Sequence, residues 1–121
     1  MKQLIGTVKK GSGVGKEIGF PTINVDCKEI DFSFGVYAAL VHTDAGIFQG
    51  ALHLGPRKVL NLMEPSLEVH LLDFSGDLYG QTVKIELLEK VRDTQDFTTL
   101  ENLKLQIAED IQKIREIFKA M

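Results

Sequence analysis

The hydrophobic residues of this 121-residue chain change their period once, and that change limits the folds open to it. Up to about residue 92 they fall in short, mostly alternating stretches broken by turn residues. Residues 3–9 are apolar up to Lys9-Lys10. Residues 21–26 are extended, because Phe20 precedes Pro21 and a residue before proline is kept out of the helical region. Residues 35–42 form a strand, Thr43-Asp44-Ala45-Gly46 a turn, and residues 47–54 the returning hairpin partner. Gly55-Pro56-Arg57-Lys58 reads as a loop. Residues 66–74 alternate, Ser75-Gly76-Asp77 turns the chain, and residues 81–90 form the next strand. Short strands at this spacing predict an antiparallel barrel or sandwich.

Beyond residue 98 the period becomes helical. Leu100, Leu103, Ile107, Ile111, Ile114 and Phe118 recur at spacings of three and four, which places them on one helical face. Thr98-Thr99-Leu100-Glu101 fits a capping box, with Thr98 as N-cap and Glu101 reaching back to it. The apolar stripe is expected to pack against the β unit, shielding one end and covering strand edges. No linker, repeat or low-complexity run divides the chain. The expectation is one domain over residues 1–121, with the β unit over about 1–92 and the helix over about 98–120.

Composition narrows the function. The net charge of −3 argues against non-specific nucleic-acid binding, which needs a basic surface. It leaves room for one anionic ligand, since converging backbone N–H groups can hold an anion on an acidic protein. Cys27 is the single cysteine, so an intrachain disulfide and a cysteine metal cluster are both excluded, and a reduced cytosolic thiol is the plain reading. The N-terminal residues lack a signal-peptide apolar core, and no apolar run approaches the roughly 20 residues of a membrane span. A soluble, cytoplasmic protein without membrane contact is expected.

Four glycines crowd residues 11–19: Gly11, Gly13, Gly15 and Gly19, with Lys16 among them. Glycine permits positive φ, so successive N–H groups can converge on phosphate oxygens, and Lys16 would add a point charge. A plain surface turn uses glycine too. The segment is not a P-loop: Glu17 follows Gly15-Lys16 where Ser or Thr is needed, and Lys10 stands at the first glycine position. Nor is it the dinucleotide fingerprint, which meets Lys16 counting from Gly11 and Ile18 counting from Gly13.

Just past the loop, Thr22 and Asn24 are two residues apart in an extended segment and project to one side. Their neutral oxygens suit Mg²⁺ when phosphates supply the negative charge. On spacing alone, the plainer assignment of two polar groups satisfying turn backbone carries more weight. Glu68 interrupts an apolar strand, on the face opposite Leu67, Val69 and Leu71. Partial desolvation would make it a better base, while a solvated outer face is the simpler reading of the strand by itself. His42, His53 and His70 show no metal spacing and read as structural or surface residues.

In order, these segments resemble the riboflavin kinase family of bacteria and eukaryotes. The resemblance is carried by Gly13-x-Gly15-Lys16-x-x-Gly19-Phe20-Pro21-Thr22-x-Asn24, by Gly35-Val36-Tyr37-Ala38, and by Leu67-Glu68-Val69-His70-Leu71-Leu72-Asp73-Phe74. Asp77-Leu78-Tyr79-Gly80, Arg92 with Phe97, and Leu103 to Asp110 continue it to the terminal helix. It implies a mainly β fold, a six-stranded antiparallel Greek-key barrel with a C-terminal amphipathic helix. It implies ATP-dependent phosphorylation of the riboflavin 5′-hydroxyl to give FMN and ADP, by a monomer acting on two small molecules. On the matching positions, Gly11, Gly13, Gly15, Lys16, Gly19, Pro21 and Thr22 would bind the nucleotide. Thr22 and Asn24 would hold Mg²⁺ or another divalent ion, Glu68 would activate the hydroxyl, and Arg92 to Phe97 would close over the flavin. Many bacterial members carry an adenylyltransferase domain before this one; its absence here predicts FMN synthesis without FAD synthesis.

One segment departs from the family. Where it usually has Asn-Ile-Gly, then an Arg or similar residue, then Pro-Thr, this chain reads His53-Leu54-Gly55-Pro56-Arg57-Lys58-Val59, without the Asn and the Pro-Thr pair. The departure bears on nucleotide choice and rate more than on fold. It is the best support for a rival reading, a flavin- or nucleotide-binding barrel without turnover; Thr22, Asn24 and Glu68 stand against that. A barrel used only for protein interaction is a third reading, which binding of neither riboflavin nor nucleotide would favour.

Overall fold

Alternation along the strands lets one sheet close on itself. The computed structural model of the chain describes residues 2–11, 13, 16 and 18–121. Its strands are β1 (Lys2–Lys9), β2 (Ile23–Asp26), β3 (Gly35–Thr43), β4 (Gly46–Arg57), β5 (Leu62–Leu71) and β6 (Thr82–Arg92), followed by one helix, α1 (Leu100–Lys119). In β1 every second residue from Leu4 to Val8 is buried, and in β5 Leu67, Val69 and Leu71 are buried between outward neighbours. The strands close into a barrel in the order β1-β2-β5-β4-β3-β6, every neighbouring pair antiparallel. Three successive hairpin strands, β3, β4 and β5, with β6 returning beside β3, make the Greek key. The expected six-stranded barrel with a C-terminal helix is the observed fold. Its interior is a packed core built around Val41, Leu52, Val69, Val83 and Ile85, all essentially inaccessible.

A second cluster lies on the outside of the wall. Val36 and Ala38 of β3, Leu72 after β5, and Ile114 of α1 are buried there, with Ala51, Leu88, Val91, Ile111, Ile117 and Phe118 packed against them. Strand β3 is therefore covered on both faces, which is why Val36-Tyr37-Ala38-Ala39-Leu40-Val41 is apolar throughout rather than alternating. Helix α1 lies along the outer wall over β3, β4 and β6 instead of capping an end of the barrel. Closure itself removes the strand edges the helix was expected to cover. Leu100 leaves the stripe and is 45% exposed. Among the described residues no helix is long and apolar enough to cross a membrane.

Two local expectations are corrected. The N-cap is Thr99, not Thr98: its extended backbone puts the hydroxyl where it accepts the Asn102 N–H at 3.1 Å. The segment Gly55-Pro56-Arg57 is strand, not loop. Gly55 has φ +142°, closed to L side chains, and the β4–β5 register shifts between Gly55 and Arg57, so the strand bulges and continues. A single 3-10 turn, Lys58–Leu60, with Asn61 in the left-handed region, then leads into β5 four residues before the sequence placed its start.

Candidate active site

Residues directly opposite each other in antiparallel strands face the same side of the sheet. One such line crosses the outer wall of the barrel. Lys9 of β1 is opposite Asn24 of β2, Asn24 opposite Glu68 of β5, and Glu68 opposite His53 of β4. His53 is opposite Val36 of β3, and Val36 opposite Arg92 of β6. Residues from all six strands, three of them singled out in the sequence, thus form a single row.

Glu68 faces outward yet is not solvated: its side chain is 12% exposed, as is that of Arg57, whose Nε donates to Glu68 Oε1. Both line a tight cavity of about 40 Å³, shared with Thr22, His53 and Asp110 and walled by Ile18, Phe20, Leu60, Leu62 and Ile107. A larger cleft of about 350 Å³ lies alongside. Lys9, Lys10, Gly11, Gly13, Lys16, Pro21, Thr22 and Asn24 line it on one side, and Gly76 to Tyr79 on the other. Thr22 lines both spaces and joins them. The carbonyl of Pro21 is held by His70 Nδ1 at 2.7 Å, which ties this segment to β5.

The structure brings Gly11, Gly13, Lys16, Pro21, Thr22 and Asn24 together around that cleft. Gly13 and Gly19 have φ of +77° and +93°, but Gly19 does not line the cleft, and Gly15 lies outside the described residues. Gly11 is required by close approach: a Cβ there would stand 1.8 Å from Asn24 Nδ2. The Thr22 and Asn24 oxygens, in a cleft also lined by lysines, fit a hard divalent ion that carries phosphates with it. Among the described residues no group of three or more His, Cys, Asp or Glu side chains is disposed to hold a metal ion.

Arg92 is at the far end of the row, its guanidinium turned to the helix. Nε and Nη2 each donate to Asp110 at 2.8 Å, Nη1 donates to the Asp93 carbonyl at 3.0 Å, and Cζ is 6.0 Å from the centre of the Phe97 ring. Gln106 donates to the same carboxylate at 3.0 Å. Arg92 thereby fastens α1 to β6 and supports Phe97 from below.

Two site residues were not legible in the sequence. Arg57 fell in a presumed loop, and nothing local pairs it with Glu68 eleven residues on. His53, read as structural or surface, is 6% exposed and stands between Glu68 and Val36 in the row. Burial, with Arg57 and Arg92 nearby, pushes its pKa down to about 3, so the ring is neutral at physiological pH. The one signal available was its place in the segment that departs from the family pattern.

The closed barrel thus carries a carboxylate in a sheltered cavity, joined through one threonine to a lysine- and glycine-lined cleft. The chain belongs to the riboflavin kinase family: the family model Flavokinase, riboflavin kinase, matches residues 2–118. It is 37% identical over 120 residues to a bifunctional riboflavin kinase/FMN adenylyltransferase of Haemophilus influenzae, covering 98% of this chain and 39% of that protein. It is 35% identical over 120 residues to the RNA-binding riboflavin kinase RibR of Bacillus subtilis, covering 98% of this chain and 52% of that one. The crystal structure of riboflavin kinase from Trypanosoma brucei superposes with a TM-score of 0.66 at 26% identity, over 97% of this chain and 79% of that one. The chain thus spans about two-fifths to half the length of these two curated relatives.

Proposed function

We propose that residues 1–121 act as a single riboflavin kinase domain, moving the γ-phosphate of ATP to the 5′-hydroxyl of riboflavin. The observation that carries this reading is the register of Asn24 opposite Glu68, with Thr22 joining the two spaces. A phosphate donor in the cleft and an alcohol beside Glu68 would meet at Thr22. The family resemblance supplies the identity of the two substrates.

Phosphoryl transfer depends mainly on positioning and charge stabilisation. Lys9, Lys10 and Lys16 line the cleft and would draw the triphosphate into it. Thr22 and Asn24 would hold Mg²⁺, which when bound neutralises phosphate charge. Glu68 takes the proton of the 5′-hydroxyl as its oxygen bonds to the γ-phosphorus, and ADP leaves with the electron pair of the broken P–O bond. The apolar walls around Glu68 exclude water that would compete as acceptor. About 40 Å³ is far below the several hundred Å³ of ordinary ligand sites, so flavin entry has to widen this space.

The net charge of −3 supports small-molecule partners over nucleic acid. The test is the rate of FMN formation by Glu68→Gln. A loss of about 10²- to 10⁴-fold, measured below the variant's own thermal midpoint, is expected of a general base; wild-type turnover would remove Glu68 from the mechanism.

A further inference from the structure

His53 carries a feature the reaction above does not use. Its Nδ1 is buried without a hydrogen-bond partner, in a side chain 94% buried on the outer wall of the barrel. Buried polar atoms are nearly always satisfied, and an unsatisfied one is retained at a cost. The ring lines the cavity beside Glu68 and also the small space lined by Arg92 and Phe97, so it stands where the two meet. It is opposite Glu68 on the adjacent strand, about 5 Å away in the direction of Arg92.

We propose that His53 is a binding residue for the polyhydroxyl chain of the acceptor, its Nδ1 hydrogen-bonding a chain hydroxyl and so holding the terminal hydroxyl at Glu68. This rests on the riboflavin kinase reading. The order along the row is the reason. Asn24 marks the nucleotide end, Glu68 the reacting hydroxyl, and Arg92 with Phe97 the end expected to meet the flavin ring. A chain joining ring to reacting hydroxyl has to pass His53. A hydroxyl both donates and accepts, so it satisfies Nδ1 in either tautomer of the neutral ring. Val36, next in the row, has no polar side-chain atom, so within the row His53 is the group between Glu68 and Arg92 that can recognise a hydroxyl.

The test compares riboflavin with lumiflavin, which has the same ring system and no polyhydroxyl chain, by quenching of flavin fluorescence on the whole chain. His53→Leu is expected to weaken riboflavin about tenfold, the scale of one net hydrogen bond, and to leave lumiflavin within twofold. His53→Asn, which keeps a neutral hydrogen-bonding group, is expected to stay within about threefold of wild type for both. Unchanged riboflavin affinity in His53→Leu, or equal losses for both flavins, overturns the proposal. The wild-type chain gives the same test without substitution: the His53 Nδ1 resonance in ¹⁵N NMR should move with riboflavin and not with lumiflavin. A resonance unmoved at saturating riboflavin overturns the proposal. FMN synthesis by wild type with unaltered binding in His53→Leu removes this inference and leaves the kinase standing. Binding that depends on His53 in a chain that makes no FMN does the reverse, and a chain that binds no riboflavin overturns both.

Discussion

Arg57 donates through Nε to the carboxylate of Glu68, and the two side chains are equally sheltered, each 12% exposed. The carboxylate placed as the base is therefore held by a cation from the segment in which this chain departs from its family. Breaking such a pair on one side leaves an uncompensated charge, while removing both charges together costs much less. Arg57→Met should lower unfolding free energy by about 3 kcal/mol. Adding Glu68→Gln should recover at least about 1 kcal/mol of that loss, a coupling read from urea unfolding of the two single variants and the double. Strictly additive losses would mean the pair does not couple in solution.

Gly11 offers a way to disturb the proposed metal site without touching its ligands. A Cβ at residue 11 would collide with the Asn24 amide and with no backbone atom among its three nearest neighbours. Asn24 can swing away, so Gly11→Ala should unfold close to the wild-type midpoint. Its Mg²⁺–nucleotide affinity should fall about tenfold, with riboflavin affinity changed little, both measurable by calorimetry. Equal loss of both affinities would place Asn24 outside the metal site.

His53 predicts how stability depends on pH. Its folded pKa of about 3 lies below the ordinary 6.5, so the unfolded chain binds this proton first as pH falls. The groups facing it are Arg57, Arg92 and Glu68, and both cations oppose protonation. Stability is full above pH 6.5 and is lost as pH drops from there toward 3, by on the order of 1 kcal/mol per pH unit. Asp31, Asp73 and Asp93 are held below the usual carboxylate range by Lys2, Arg115 and Lys90, so their losses begin lower still. Urea unfolding at pH 7, 6 and 5 should show the slope in wild type and a flatter dependence in His53→Asn. The same slope in both would assign it to other groups.

The Arg92–Asp110 pair joins helix to barrel beside the site. Its partners are 13% and 5% exposed. Asp110→Ala should cost about 3 kcal/mol, because it leaves the Arg92 guanidinium buried and unpaired, and should loosen Phe97 with it. Denaturant unfolding monitored by far-UV circular dichroism measures the first effect, and riboflavin affinity the second. Full stability in this variant would mean that apolar contacts of Ile114 and its neighbours alone hold α1.

Local periodicity made the strands and the helix legible, because burial on one face is written into every second or every third to fourth residue. It did not show which strands meet. Asn24, Glu68, His53 and Arg92 line up only because β2, β5, β4, β3 and β6 are neighbours in that order, and such pairing is non-local. Gly55-Pro56-Arg57 has the composition of a turn, yet a glycine at φ +142° serves a bulge as well as a loop. Thr98 and Thr99 offer the same cap, and only the helix register chose between them. Thr22, Asn24 and Glu68 were readable as a set through the family resemblance; each alone had a plainer assignment.

The most direct measurement is a single incubation of the purified chain with riboflavin, ATP and Mg²⁺, with flavins and nucleotides separated by chromatography. FMN and ADP appearing in equal amounts, and neither when ATP is withheld, is the predicted result. Riboflavin bound but recovered unchanged, with no ADP formed across several nucleotides and divalent ions, would contradict it and leave a barrel that binds flavin without turning it over.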